Sequence, residues 1–274
     1  MDEQMQQWPQ FETIAFDCHN DWLMIRLNRP AQRNAMSRQM TAELTNALTR
    51  ASADRSLRGI ILRGNGGVFC AGGDLAEFKT NFQSLIPDRA HIEAASRAAG
   101  QLFHRLNTMP QVTIALVEGA AMAGGLGLMC ACDISIAVKG AKFGLTETTL
   151  GIPPAQIAPY VRSRTGIAAA RKLMLTATRF DAAEGQRLGL ITTVVEDAMA
   201  LEAEVQALQT QLHRCAPEAV AATKAILLDD TGSKTQIDRA AQAFATCILS
   251  DEGREGIAAF FEKRPPNWAM EAPQ

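Results

Sequence analysis

The hydrophobic pattern changes character along the chain. From Thr13 to Asn28, TIAFDCHNDWLMIRLN places apolar residues on both sides of a polar turn at His19-Asn20-Asp21, which predicts two short strands. Arg29-Pro30 ends that pattern. A helix is expected from Ser37, because SRQMTAELTNALTRASAD carries Met40, Leu44 and Leu48 at i, i+4 and i+8. The apolar run Gly59 to Arg63 reads as a strand, and Glu77 to Pro87 as a mobile loop or short helix. A helix over about Arg89 to Leu106 ends near Pro110. Then come a strand at Val112 to Val117, a buried apolar helix at LGLMCACD and a strand at ISIAVKG. This strand–helix–strand alternation implies crossover units in a largely parallel sheet, an α/β fold.

After Ala155 the pattern turns helical. AAARKLMLTATRF, DAAEGQRLGL, the stretch Leu201 to Leu228 and the tail Asp251 to Lys263 all read as helices, and Pro265-Pro266 stops the last. Asp181 to Glu184 has capping-box spacing with Asp181 as N-cap. The expected division is an α/β core over 11–200 and a helical part over 201–274, without repeats or low-complexity segments.

Composition narrows the function classes. The chain has 274 residues, 47% hydrophobic and 20% charged, enough for a large core and unlike a disordered chain. A net charge of -2 argues against nucleic acid as the main partner. The six cysteines, at 18, 70, 130, 132, 215 and 247, lack paired zinc-ligand spacing and are expected to be buried free thiols in a reducing compartment. The start MDEQMQQWPQ is acidic and polar rather than basic-then-apolar, so no signal peptide is expected, and no apolar run approaches the ~20 residues of a membrane span. The expectation is a cytoplasmic protein that binds neither membrane nor nucleic acid.

Candidate chemistry lies in two glycine-rich turns. FCAGGDL, Phe69 to Leu75, follows GIILRG; AMAGGLGL, Ala121 to Leu128, follows TIALVEG. Glycine permits positive φ and close backbone approach to a ligand. Two such turns can aim two peptide N–H groups at one point, which is the geometry of an oxyanion hole.

Five motifs occur in one order: LNRPAQRNAMS, GNGGVFCAGGDL, EGAAMAGGLGLMCACDISIA, AKFGLTETTLGIPP and DEGREGIAAFFEKRPP. Together they resemble the crotonase superfamily, the enoyl-CoA hydratases and isomerases, over about residues 11–268. The resemblance implies a spiral of ββα repeats with a helical C-terminal trimerisation region. It also implies a homotrimer or dimer of trimers, and an acyl-CoA substrate bound without a metal or separate cofactor. Matched position by position, the oxyanion donors are Gly73 and Gly124, and the catalytic carboxylate is Glu147 in FGLTETTLG. Arg29, Arg33, Ala71 and Gly72 match positions near the nucleotide and pantetheine, and Lys263 with Arg264 a tail that reaches a neighbouring subunit's nucleotide.

One position departs from the pattern. Two-glutamate hydratases carry a second carboxylate shortly after the second turn; here that position is Gly127. One base suffices for a Δ3,Δ2-isomerase, which removes and returns one proton. Hydration needs another arrangement: Glu147 acting twice, a polar neighbour such as Gln156 or Tyr160, or a carboxylate on the substrate. GIPPAQIAPYVRSRTG, Gly151 to Gly166, is similar to methylglutaconyl-CoA and isohexenylglutaconyl-CoA hydratases, and its Arg162 and Arg164 are candidates to pair a substrate carboxylate. The leading expectation is therefore hydration of a 3-branched glutaconyl-CoA. A roomier apolar pocket for a longer acyl tail would be lined by Ala121, Met122, Ala123 and the segment Phe78 to Ile86. The alternatives are the isomerase and a non-catalytic acyl-CoA-binding protein.

Overall fold

The computed structural model describes residues 8–77, 89–229, 242, 244–246, 248 and 250–269. The segment expected as a loop or short helix lies, beyond Glu77, outside these residues, as does Phe78 to Ile86.

A six-stranded sheet runs β1 (Ile14–His19), β2 (Trp22–Leu27), β3 (Gly59–Gly64), β4 (Val112–Val117), β6 (Ile134–Val138), β9 (Thr193–Val195), in that spatial order. The β1–β2 hairpin is antiparallel and every later pairing is parallel. A second sheet pairs β5 (Ala120–Met122), β7 (Lys142–Gly144) and β8 (Arg179–Asp181). The strand–helix alternation thus closes as an α/β fold, as the pattern predicts.

Successive side chains of a strand face opposite sides of the sheet. Ile60, Leu62, Ala115 and Val117 accordingly join the larger core, with Leu44 and Leu48 of the helix Arg38–Ala53 and Leu102 and Phe103 of the helix Arg89–Asn107. Ile61, Ile114, Leu116 and Ile136 face the other way, onto Leu201 and Val205 of the helix Ala198–Leu212. All six residues of β4 are buried, so it reads as one continuous apolar run rather than an alternating one. The helix Ala198–Leu212 begins before the division expected at residue 200 and packs on the sheet.

The expected helix starts are well capped. Ser37 Oγ accepts the Met40 N–H at 3.1 Å, and Asp181 accepts the Glu184 N–H at 3.0 Å. The region after Ala155 is less helical than its pattern predicts. Arg179–Asp181 is a strand because it pairs antiparallel with Lys142–Gly144, stacking Phe180 on Phe143 at 5.6 Å. Thr193–Val195 extends the main sheet beside β6. Leu201 to Leu228 is two helices, Ala198–Leu212 and Pro217–Leu228. Pro217 starts the second one, where its missing N–H removes no helical bond.

The buried apolar helix spans Gly124–Ala131, two residues earlier than the apolar run suggests. Seven of its eight residues are buried, so it has no polar face. Its first residue belongs to the second glycine turn.

Candidate active site

Parallel pairing brings the two glycine turns together. β3 and β4 lie in register, Gly59 opposite Val112 through Arg63 opposite Leu116, so both leave the sheet at the same edge. Ligand sites in parallel sheets form at such carboxyl ends. Two backbone bonds then join the turns: Cys70 N–H to the Ala120 carbonyl at 3.0 Å, and Met122 N–H to the Cys70 carbonyl at 2.9 Å.

Met36 sets the donor at Gly73. Its N–H bonds the Gly72 carbonyl at 2.8 Å, and its carbonyl accepts the Asp74 N–H at 3.0 Å. This short parallel ladder uses the amides on either side of Gly73 and leaves the Gly73 N–H without a partner among the described residues. Gly72 sits at φ +101, and a Cβ there would lie 2.9 Å from Ala123 Cβ, so glycine is required.

The second donor is the Gly124 N–H, at the first turn of its helix, where the amide has no intrahelical acceptor and the dipole is positive. A Cβ on Gly124 would point to within 3.9 Å of Gly73 N and only 2.4 Å from Met36 Cε. Gly124 and the Gly73 amide therefore adjoin. Ala123 holds φ 49 and ψ -122, a conformation nearly confined to glycine, which costs about 1–3 kcal/mol. Its N–H is tied to the Gly144 carbonyl at 2.8 Å and its carbonyl accepts Gly127 N–H at 3.0 Å.

That bond to Gly144 also places the carboxylate. β7 ends at Gly144, and Glu147 opens the short 3-10 helix Glu147–Leu150 that follows. Glu147 Oε2 is buried and accepts no hydrogen bond among the described residues. Burial pushes this carboxyl above its ordinary value, against a smaller pull from its own backbone N–H. A buried carboxylate oxygen without a partner is costly in a structural role and suited to moving protons.

Residues 18–271 match the sequence profile of the Enoyl-CoA hydratase/isomerase family. The chain belongs to this family. It is 31% identical over 250 residues to the 2,3-dehydroadipyl-CoA hydratase of Escherichia coli, covering 90% of this chain and 94% of that protein. Among solved structures, AtuE of Pseudomonas aeruginosa is 45% identical with a TM-score of 0.90, covering 94% of this chain and all of that one (100%). An enoyl-CoA hydratase/isomerase from Marinobacter aquaeolei is 41% identical with a TM-score of 0.89, covering 94% and 99%. The fold is thus the crotonase α/β fold, and the protein is an enzyme of the hydratase, or carbon–oxygen lyase, type acting on acyl-CoA.

Several expected site residues are engaged elsewhere. The Arg29 guanidinium pairs with the buried Asp74 at 2.8 Å and donates to the Ala35 carbonyl at 2.6 Å. Its charge braces the first turn through Asp74. Arg164 is tied to the carbonyls of Cys130 (2.9 Å), Cys132, Asp133 (3.3 Å) and Leu190 (3.3 Å), at the C-terminal end of the helix Gly124–Ala131. It compensates that helix end and is not available to pair a substrate carboxylate. Gln156 Nε2 donates to Ser96 Oγ at 3.0 Å. Ala121 is fully buried in the core.

Others remain open to a ligand. Arg33 is exposed, and its carbonyl holds the Ala71 N–H at 3.0 Å, which fixes Ala71 and Gly72 at the rim of the first turn. Lys263 is exposed at the end of the helix Asp251–Glu262, whereas Arg264 is clasped by Glu255 and Glu262. Tyr160 packs tilted against Phe103, with ring centroids 6.1 Å apart, and burial raises its phenol above the ordinary value. Cys70, Cys130 and Cys132 are buried thiols pushed up to about 12 by desolvation, hence unreactive. Cys215 is exposed.

Sequence reasoning missed Met36, Asp74 and Ile157. Met36 and Asp74 shape the first turn through backbone and ion-pair contacts between segments distant in sequence. Ile157 covers Gly127. No periodicity marks any of the three.

Proposed function

We propose that this enzyme hydrates a 3-branched glutaconyl-CoA, with Glu147 as its single acid–base residue. The observation that carries the reading is the buried, unpartnered Glu147 Oε2, on the segment that follows β7, together with the adjoining Gly73 and Gly124 amides that have no partner among the described residues. The thioester oxygen bonds the N–H groups of Gly73 and Gly124. Water adds to C3 as Glu147 takes one of its protons, and the C2=C3 electron pair moves toward the thioester oxygen. Each such donor contributes about 3 kcal/mol to the charged state. Glu147 then returns the proton to C2, so both hydrogen and hydroxyl come from one water. Ala71, Gly72, Arg33 and Lys263 serve CoA in this reading.

The named substrate of the Escherichia coli relative, a dehydroadipyl thioester, supports a substrate with a distal carboxylate. With Arg164 engaged, the exposed Arg162 is the remaining cation of that segment. The lone carboxylate also favours a second reading, a Δ3,Δ2-isomerase. A screen of 3-methylglutaconyl-, isohexenylglutaconyl- and crotonyl-CoA, with mass detection of added water, tests both. Preference for crotonyl-CoA sinks the branched-substrate reading, and isomerised product without water addition favours the second.

We also infer assembly as a homotrimer or a dimer of trimers. The helices Pro217–Leu228 and Asp251–Glu262 flank an apolar groove of about 430 Å³ that includes Ile226, Phe244, Ile248 and Ile257. An apolar surface of this kind supports association, and a monomeric mass by light scattering would count against it.

A further inference from the structure

Gly127 lies three residues beyond the oxyanion donor Gly124 on the same buried helix, a rise of ~4.5 Å. A Cβ at 127 would stand 2.2 Å from Ile157 Cγ2 and 2.9 Å from Ile157 Cβ, with Phe103 Cε1 at 3.4 Å. The first two distances are impossible contacts. Neither atom is the far end of a flexible chain: both belong to the branch point of a β-branched residue, which has little rotamer freedom. Ile157 is 4% exposed and Phe103 2% exposed, so neither has free space to move into.

The backbone around Ile157 is held as well. Its carbonyl accepts the N–H groups of Tyr160 at 3.1 Å and Val161 at 3.2 Å. The preceding Gln156 is anchored on Ser96. Position 127 is therefore restricted to glycine for as long as position 157 carries a branched side chain.

We propose that Ile157 is a specificity-determining residue of the acyl site. Its side chain takes the volume that a second carboxylate at 127 would need and, with Phe103, puts an apolar wall there. C3 of an enoyl thioester lies two bonds from the carbonyl carbon, within reach of one helical turn from the oxyanion donor. The wall therefore faces the substituent on C3 and favours an apolar branch there over hydrogen. The single-carboxylate chemistry and the preference for a branched substrate have one packing cause. This rests on the hydratase reading above and adds the residue that selects the substrate.

The test uses the full chain with Gly127→Glu, Ile157→Gly, the pair together, Ile157→Ala and Ile157→Val. Thermal melting is read without substrate. Gly127→Glu alone should melt far below the parent, and adding Ile157→Gly should recover part of that loss, so the two changes are not additive. A Gly127→Glu protein as stable as the parent, or strictly additive shifts, overturns the packing claim.

The second readout is the ratio of kcat/KM for 3-methylglutaconyl-CoA to that for unbranched glutaconyl-CoA. It should fall about tenfold in Ile157→Ala, the effect of a lost methyl contact in an apolar pocket. It should fall less, in the same direction, in the milder Ile157→Val. An unchanged ratio in both variants overturns the specificity claim while the parent still hydrates. Failure of the parent to hydrate either thioester instead overturns the hydratase reading.

Discussion

Replacing Glu147 by glutamine should make this enzyme more stable and nearly inactive. The substitution keeps shape and volume and removes only the ionisable oxygen. Because burial raises the folded-state pKa, the charged form is the one that folding disfavours. The linkage sign follows: the stability tied to the protonated form is fully present below the unfolded value of 4.5 and is lost as pH rises through the raised folded value. At neutral pH the wild-type protein therefore carries the penalty, and glutamine relieves it. A buried polar atom without a partner costs about 1–3 kcal/mol, and the low end applies because the residue is only partly buried. A gain of about 1 kcal/mol corresponds to roughly 2–4 °C in Tm for a chain of this size. Loss of the proton-transferring group should lower kcat by about 10²–10⁴-fold. Absorbance loss of the enoyl thioester gives kcat, and calorimetry gives Tm. The acid limb of the wild-type pH–rate profile should lie above 4.5. Full activity in the glutamine variant, or a lower Tm than wild type, would refute the assignment of this carboxylate as a destabilised base.

Two further substitutions test the supports of the site. Arg164→Ala should cost about 2–3 kcal/mol, since it strips charge-assisted bonds from the carbonyls of Cys130, Cys132 and Leu190, and should leave the preference between dicarboxylic and monocarboxylic thioesters unchanged. A selective rise in KM for dicarboxylic thioesters would restore it as a substrate ligand. Asp74→Ala should destabilise by about 2–3 kcal/mol by leaving the mostly buried Arg29 without its partner, read as a lower urea midpoint. Burial raises the Asp74 carboxyl, but bonds from Arg29 and the Glu77 and Ala76 N–H groups hold it below its ordinary value. Its contribution is therefore present above the unfolded value of 3.8 and lost as pH falls through the lower folded one.

Much of the scaffold was legible in the chain because it rests on local rules. Apolar spacing located the helix Arg38–Ala53 and strand β4, and polar residues at fixed offsets located the caps at Ser37 and Asp181. The pattern makes Arg179–Asp181 helical and assigns no element to Thr193–Val195, because the state of both short strands depends on pairing with β7 and β6 rather than on their own residues. Glycine turns and a glutamate in a motif pointed to thioester chemistry before any geometry was known.

What the sequence determined by itself is the set of parts: two glycine turns, one glutamate, and no carboxylate at 127. Tertiary structure decided their use. Parallel pairing of β3 with β4 brought the turns to one edge, and Met36 left the Gly73 amide free. Long-range contacts engaged Arg29 with Asp74 and Arg164 with a helix end, although their charges alone suggested ligand binding. Ile157 closed the space over Gly127 from a segment thirty residues away. Periodicity and motif spacing are properties of neighbours along the chain. A clash, a free amide or a buried carboxylate is a property of neighbours in space, and only folding creates those.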